Sequence, residues 1–243
     1  MTALAYTRFE LVRTLRNVRL MIFSLGFPFV LYLAIAAPNS DQENFAGTGI
    51  SFPLYYMVGL AGFGTMTALI STGARIASER TDGWTRQLRI TPLTARAYIR
   101  AKVLTGYAMA LLGIGLLYAA GAAIGVRLPA EQWLEMTGLI LIGLLPFAAL
   151  GVLVGHLLTA DTIGPATGGL VSLLALVSGN WFPIGDGVVG DVARVLPSYW
   201  LVQAGHVALG GGWSAAGWAI VGAWTVGLTI LARGAYRRDT ERV

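Results

Sequence analysis

Apolar residues along this chain fall into six long runs, Leu20–Ala37, Ile50–Thr72, Val103–Gly125, Thr137–Leu158, Gly164–Ile184 and Gly212–Ala232, separated by short polar segments. Each reaches the roughly 18 residues an α-helix needs to cross a bilayer. The runs are continuous and do not alternate with period two, which excludes a β-barrel and predicts an all-α membrane protein of six spans. Ala34-Ile35-Ala36 resembles a leader-peptide cleavage pattern. Nineteen residues precede that apolar run, however, so it is read as a span.

Composition supports this pattern. The chain has 243 residues, of which 56% are hydrophobic and 12% charged, with a mean hydropathy of +0.67. A soluble domain of this size carries about twice that charge. The absence of cysteine excludes thiol chemistry, disulfides and cysteine-ligated metals. The net charge of +5 is explained by its distribution and needs no nucleic-acid partner. Arg8, Arg13, Arg16 and Arg19 precede the first run; Arg75, Arg80, Arg86, Arg89, Arg96, Arg100 and Lys102 lie between the second and third; Arg233, Arg237, Arg238 and Arg242 follow the last. The opposite side holds only Arg127 and Arg194. Basic loops remain cytoplasmic, so both termini are expected inside. Sixteen arginines to one lysine, with abundant Ala and Gly, suggest a GC-rich bacterial genome and hence a bacterial plasma membrane.

No Asp, Glu, Lys or Arg falls within the runs as drawn. An ion-coupled transporter ordinarily places an ionisable group at mid-membrane. His156 and His206 lie near run ends and read as packing histidines. There is no Gly-Lys-Ser/Thr phosphate loop, and no polar stretch exceeds about 30 residues, too short for a nucleotide domain. An energy source would therefore be a separate chain. Scattered acids and two histidines give no metal-ligand spacing, and Glu79 with Asp82 is too little acid for a metal-dependent phosphatidyl transferase.

Two polar segments carry more information. Residues 2–19 predict an amphipathic helix with Leu4, Leu11, Leu15 and Val18 on one stripe and Arg8 intruding on it, as suits an interfacial helix in contact with lipid. Residues 75–102 form an inner loop broken by Gly83 and Pro92, with a short helix expected around Trp84–Arg89. Glu79-Arg80, Asp82-Gly83-Trp84, Leu88 and Thr91-Pro92, followed by a span, look like the first cytoplasmic loop of the ABC-2 permease family. That family comprises membrane subunits of ATP-driven exporters, with the fold of the G-type half-transporters. The resemblance implies that this loop couples the chain to an ATPase. Trp84-Thr85-Arg86-Gln87-Leu88 departs from the acidic residue many relatives carry before the leucines.

Ser178-Gly179-Asn180-Trp181-Phe182-Pro183-Ile184 and Leu196-Pro197-Ser198-Tyr199-Trp200 are similar to the family's outer element before the last span. The resemblance implies short re-entrant or capping helices over 185–211. It also implies that spans two and five line the pathway, with Tyr56, Phe63, Thr65, Asn180, Trp181 and Phe182 as cavity or gate residues. By the same resemblance, residues 1–243 are one permease domain acting as a homo- or heterodimer with a separate ATPase. ATP and Mg would be bound by that partner and no cofactor by this chain. A charge-free pathway suits an amphipathic or hydrophobic cargo such as a drug, antibiotic or lipid. A non-transporting membrane scaffold or sensor partner is the alternative from another class, and a membrane enzyme a third.

Overall fold

The computed structural model describes residues 2–84, 87 and 90–241. Among these the chain is helical, with no strand. Helix α1 spans Ala3–Leu15. Among the described residues, six further helices are long and apolar enough to cross a membrane: α2 (Val18–Asn39), α3 (Phe52–Thr81), α4 (Ala95–Ala123), α5 (Ala130–Leu157), α6 (Ala160–Val177), and a last helix over Ala215–Asp239. Two short helices, α7 (Val188–Arg194) and α8 (Pro197–Gln203), precede that last helix, α9 (Ala215–Glu241).

All six expected spans are present, but α3, α4, α5 and α9 overrun the expected bounds, and α6 ends at Val177, short of the expected Ile184, where Ser178 and Gly179 turn the chain. The segment 75–102, expected to be loop, consists largely of helical legs, and only 82–94 joins them. At 1.5 Å per residue the 30 residues of α3 measure about 45 Å, against a hydrocarbon core of about 30 Å. The excess carries Arg75, Glu79 and Arg80 on α3, and the start of α4 carries Arg96, Arg100 and Lys102. The helices as folded are therefore not free of charge. The expected helix over Trp84–Arg89 is described only at Trp84 and Gln87, where the Gln87 N–H donates to Gly83 O (3.2 Å). Leu88 lies outside the described residues.

Helix α3 is central. Its most apolar stretch is 83% buried, against 22% in α6 and α9. Close approach of backbone makes this burial possible. A Cβ on Gly73 would lie 2.4 Å from Gly151 C, and one on Gly155 would lie 2.5 Å from Gly73 O. Of the three Gly-x-x-x-Gly pairs in the sequence, Gly151/Gly155 forms this α3–α5 crossing. Gly164 and Gly168 face open space. Helix α2 meets α3 at another small residue. Pro28 lacks the N–H that Ser24 O would accept, the helix widens into a π turn over Ile22–Gly26, and Gly64 leaves room for that carbonyl. Buried hydroxyls on α3 are satisfied within the helix: Thr65 Oγ1 donates to Ala61 O (2.6 Å) and Thr72 Oγ1 to Ala68 O (2.7 Å).

The crossing yields a stability prediction. Gly73→Val or Gly155→Val should cost about 1–3 kcal/mol or more by overpacking. Gly164→Val should stay within about 0.5 kcal/mol. Thermal unfolding midpoints in detergent would measure both.

Candidate functional site

Functional residues gather at opposite ends of α3. At the basic end, the face of α1 turned inward is polar: Tyr6, Glu10 and Thr14, at helical spacing, are buried. Leu4, Phe9, Val12, Leu15 and Val18 face outward instead. Lys102, the sole lysine, sits fully buried between two carboxylates, 2.6 Å from Glu10 Oε1 and 2.5 Å from Glu79 Oε1. Arg13 Nη1 reaches Glu79 Oε1 at 2.7 Å. Arg75 Nη1 donates to Thr14 Oγ1 (2.7 Å) and lies 3.6 Å from Glu10. The Tyr98 hydroxyl donates to the other Glu79 oxygen. Burial, with the Glu79 charge nearby, pushes the Tyr6 phenol well above its ordinary pKa. It is therefore a neutral member of the cluster.

This cluster ties three elements together. Glu79 stands on the leg entering the inner loop, Lys102 on the leg leaving it, and Glu10 on α1. Aromatic rings extend the joint to the loop itself: Trp84 stacks on Phe9 (6.1 Å), Phe9 meets Tyr6 (6.3 Å) and Tyr6 meets Tyr98 (5.9 Å). Of the residues expected to form the coupling loop, Glu79 is buried in the cluster, and Arg80 is half-buried and directed to the opposite side of α3. Asp82 and Pro92 are exposed, Trp84 is half-buried, and the Thr91 hydroxyl accepts from Leu93 N–H (3.4 Å). Gly83 has φ +71°, a conformation that glycine adopts without strain. Ile90 is 88% exposed at the loop tip.

At the other end, α6 stops at Val177; the Ser178 and Asn180 N–H groups still donate back to Leu174 O (3.0 Å) and Ala175 O (3.1 Å), and the non-helical residues 178–184 then run across α3. Their carbonyls are satisfied by α3: Tyr55 OH donates to Gly179 O, and Tyr56 OH to Trp181 O (2.9 Å). Asn180 Nδ2 donates to Gly59 O (2.8 Å). The approach is close enough that a Cβ on Gly59 would lie 2.3 Å from Asn180 O. Phe63 packs on Trp181 with ring centres 5.6 Å apart, and the Ser178 and Ser198 hydroxyls pair across to α8. Tyr56, Phe63, Asn180 and Trp181 thus come together in one packed joint. Thr65 is turned back on its own helix, and Phe182 is 67% exposed.

Sequence reasoning missed Glu10, Arg75, Tyr98, Lys102 and Asp239. Two signals were present: Lys102 is the sole lysine, and Glu10 the one acid among residues 1–19. His156 Nδ1 lies 3.0 Å from Asp239 Oδ2, while His206 belongs to the 3-10 turn Ala204–Leu209, where burial lowers its pKa and keeps it neutral. No group of three or more His, Cys, Asp or Glu fit to hold a metal occurs among the described residues.

Lys102→Met should cost about 3–5 kcal/mol, because Glu10 and Glu79 lose the cation between them. Combining it with Glu10→Gln should recover part of that loss, since one orphaned carboxylate is removed with its partner. Unfolding midpoints, with proteolysis of residues 2–19 as a probe of α1 release, would test both.

Comparison with known proteins agrees with this architecture. A family profile described as "ABC-2 family transporter protein" matches residues 33–233. The chain is also 31% identical over 199 residues to "Putative transport permease YvfS" of Bacillus subtilis (strain 168), covering 78% of each chain. Six apolar helices with a buried α3 among them, and a match over most of their length, assign the chain to the ABC-2 family as a multi-pass membrane transport permease.

Proposed function

We propose that the chain is the membrane subunit of an ATP-driven exporter, paired with a second permease copy or paralogue and with two copies of a separate ABC ATPase that binds ATP and Mg. The observation that carries this reading is the clamp on the inner loop. Glu79, Lys102 and Glu10 hold both legs of the loop and α1 as one body, so a push on the loop is not absorbed locally. Asp82, Ile90 and Pro92 are exposed where an ATPase would dock.

In this reading both termini are cytoplasmic in a bacterial plasma membrane, and α1 lies at the inner interface with its apolar face in lipid. Loop movement is carried by α3 to the outer joint. There Tyr55, Tyr56 and Asn180 release residues 178–184, and an amphipathic or hydrophobic cargo leaves the cytoplasm or inner leaflet. Holding non-helical backbone away from lipid is what the two tyrosines accomplish in the packed joint.

The tagged chain, purified from its native membrane in mild detergent, should recover an ATP-hydrolysing partner. Gly83→Val, which strains a left-handed position by about 1–2 kcal/mol without filling any packed space, should reduce that recovery. A chain that emerges alone, with no hydrolysis, would remove the exporter reading. Asn180→Leu should leave recovery intact and change ATP turnover by the complex; equal loss of both would remove the gating role.

A further inference from the structure

Glu79 and Arg80 are consecutive at the end of α3, about 100° apart on the helix, and serve different neighbours. Glu79 belongs to the α1–α4 cluster described above. Arg80 turns to α5 and α9. Its Nη2 lies 2.7 Å from Asp239 Oδ1, and its Nη1 donates to His156 O (2.9 Å) and Gly155 O (3.4 Å). His156 Nδ1 stands 3.0 Å from Asp239 Oδ2, and its ring meets Tyr236 edge-on at 5.4 Å. Because α5 ends at Leu157, the carbonyls of 155 and 156 are among the last four that have no partner within the helix. A guanidinium there satisfies them, complements the helix dipole and still has a second nitrogen for a carboxylate.

Asp239 stands in the polar end of α9, beyond Arg233, Arg237 and Arg238. Helix α9 is one of the least buried spanning helices and packs chiefly on α5. A single side chain thus connects the exit of α3, the end of α5 and the end of α9.

We propose that Arg80 is a positioning residue that carries displacement of the inner loop to the ends of α5 and α9, in parallel with the Glu79 route to α1 and α4. This rests on the reading of the loop as the ATPase-coupling element. The chain contains no cysteine, so introduced pairs are its only thiols. The experiment uses the permease–ATPase complex in lipid nanodiscs, with a cysteine-free ATPase, and spin-label distances taken without nucleotide and after trapping with ATP, Mg and vanadate. Gln87→Cys is paired in turn with Glu43→Cys, Leu157→Cys and Arg238→Cys, all at exposed positions.

In the parent, the 87–43 distance, which spans the membrane, should shift on trapping, while 87–157 and 87–238 stay fixed. Arg80→Ala should make both of the latter shift. Asp239→Ala, which leaves Arg80 on the α5 carbonyls, should release 87–238 alone. If both inner distances stay fixed in Arg80→Ala, or already shift in the parent, the positioning role is overturned while the coupling reading stands. Lower recovery of the Arg80→Ala complex with fixed distances would show a merely structural residue and likewise overturn it. An 87–43 distance that never shifts removes the coupling reading and this proposal with it.

Discussion

One ammonium group buried between two carboxylates governs the basic end of this protein. A charge removed from water costs several kcal/mol unless it is paired and hydrogen-bonded. Lys102 can therefore be fully buried only where Glu10 and Glu79 both reach it; Arg13 and Tyr98 also bind Glu79, Arg75 stands 3.6 Å from Glu10 Oε1, and Glu10 Oε2 has Arg13 at 3.9 Å and no hydrogen bond. That requirement fixes the register of α1 against α4 and sets how far α3 must extend as a helix. It also accounts for the inside-out character of α1. Tyr6, Glu10 and Thr14 turn inward because their partners are there, and the apolar stripe with Arg8 is left on the outer surface, where lipid suits it.

The opposite end follows a different rule. Residues 178–184 need partners for carbonyls that no helix serves, and α3 offers hydroxyls from Tyr55 and Tyr56 and a bare backbone at Gly59. These contacts are neutral hydrogen bonds, worth about 0.5–1.5 kcal/mol each, whereas breaking a buried charge pair costs about 3–5 kcal/mol. The two ends of α3 are thus unequal. Contacts at the basic end are the more costly to disrupt. Tyr56 and Glu79 are 23 residues apart on one helix, about 35 Å, so a displacement at one end is presented to the other with little loss.

The six spans and their order were legible because twenty-residue apolar runs have few other meanings. The loop motif and the outer element were legible as patterns. The cluster was not, for a physical reason. Hydropathy ends a span where charge begins, and here charge begins one or two turns before the helix stops. The pairings are also remote in sequence: Glu10 to Lys102 spans 92 residues and Arg13 to Glu79 spans 66. Asn180 was legible as a polar residue in an apolar setting, but its partner is the Gly59 carbonyl, which side-chain patterns do not reveal. Thr65 has the same polarity and buries it in its own helix, so composition could not separate the two.

The glycines show the same limit from the packing side. Gly151 and Gly155 share a four-residue spacing with Gly164 and Gly168, yet one pair meets backbone at less than 3 Å from a hypothetical Cβ and the other meets nothing. Spacing states what a helix face permits, and a facing residue such as Gly73 decides whether it is used. At that crossing three glycines bring α3 and α5 into backbone contact about two turns from Arg80, which then grips the end of α5. Close packing and a charged cap therefore act on the same pair of helices at adjacent levels. The crossing and the cap thus hold α5 to α3 at both levels, while α9 packs chiefly on α5 and pairs with Arg80 through Asp239 at its end.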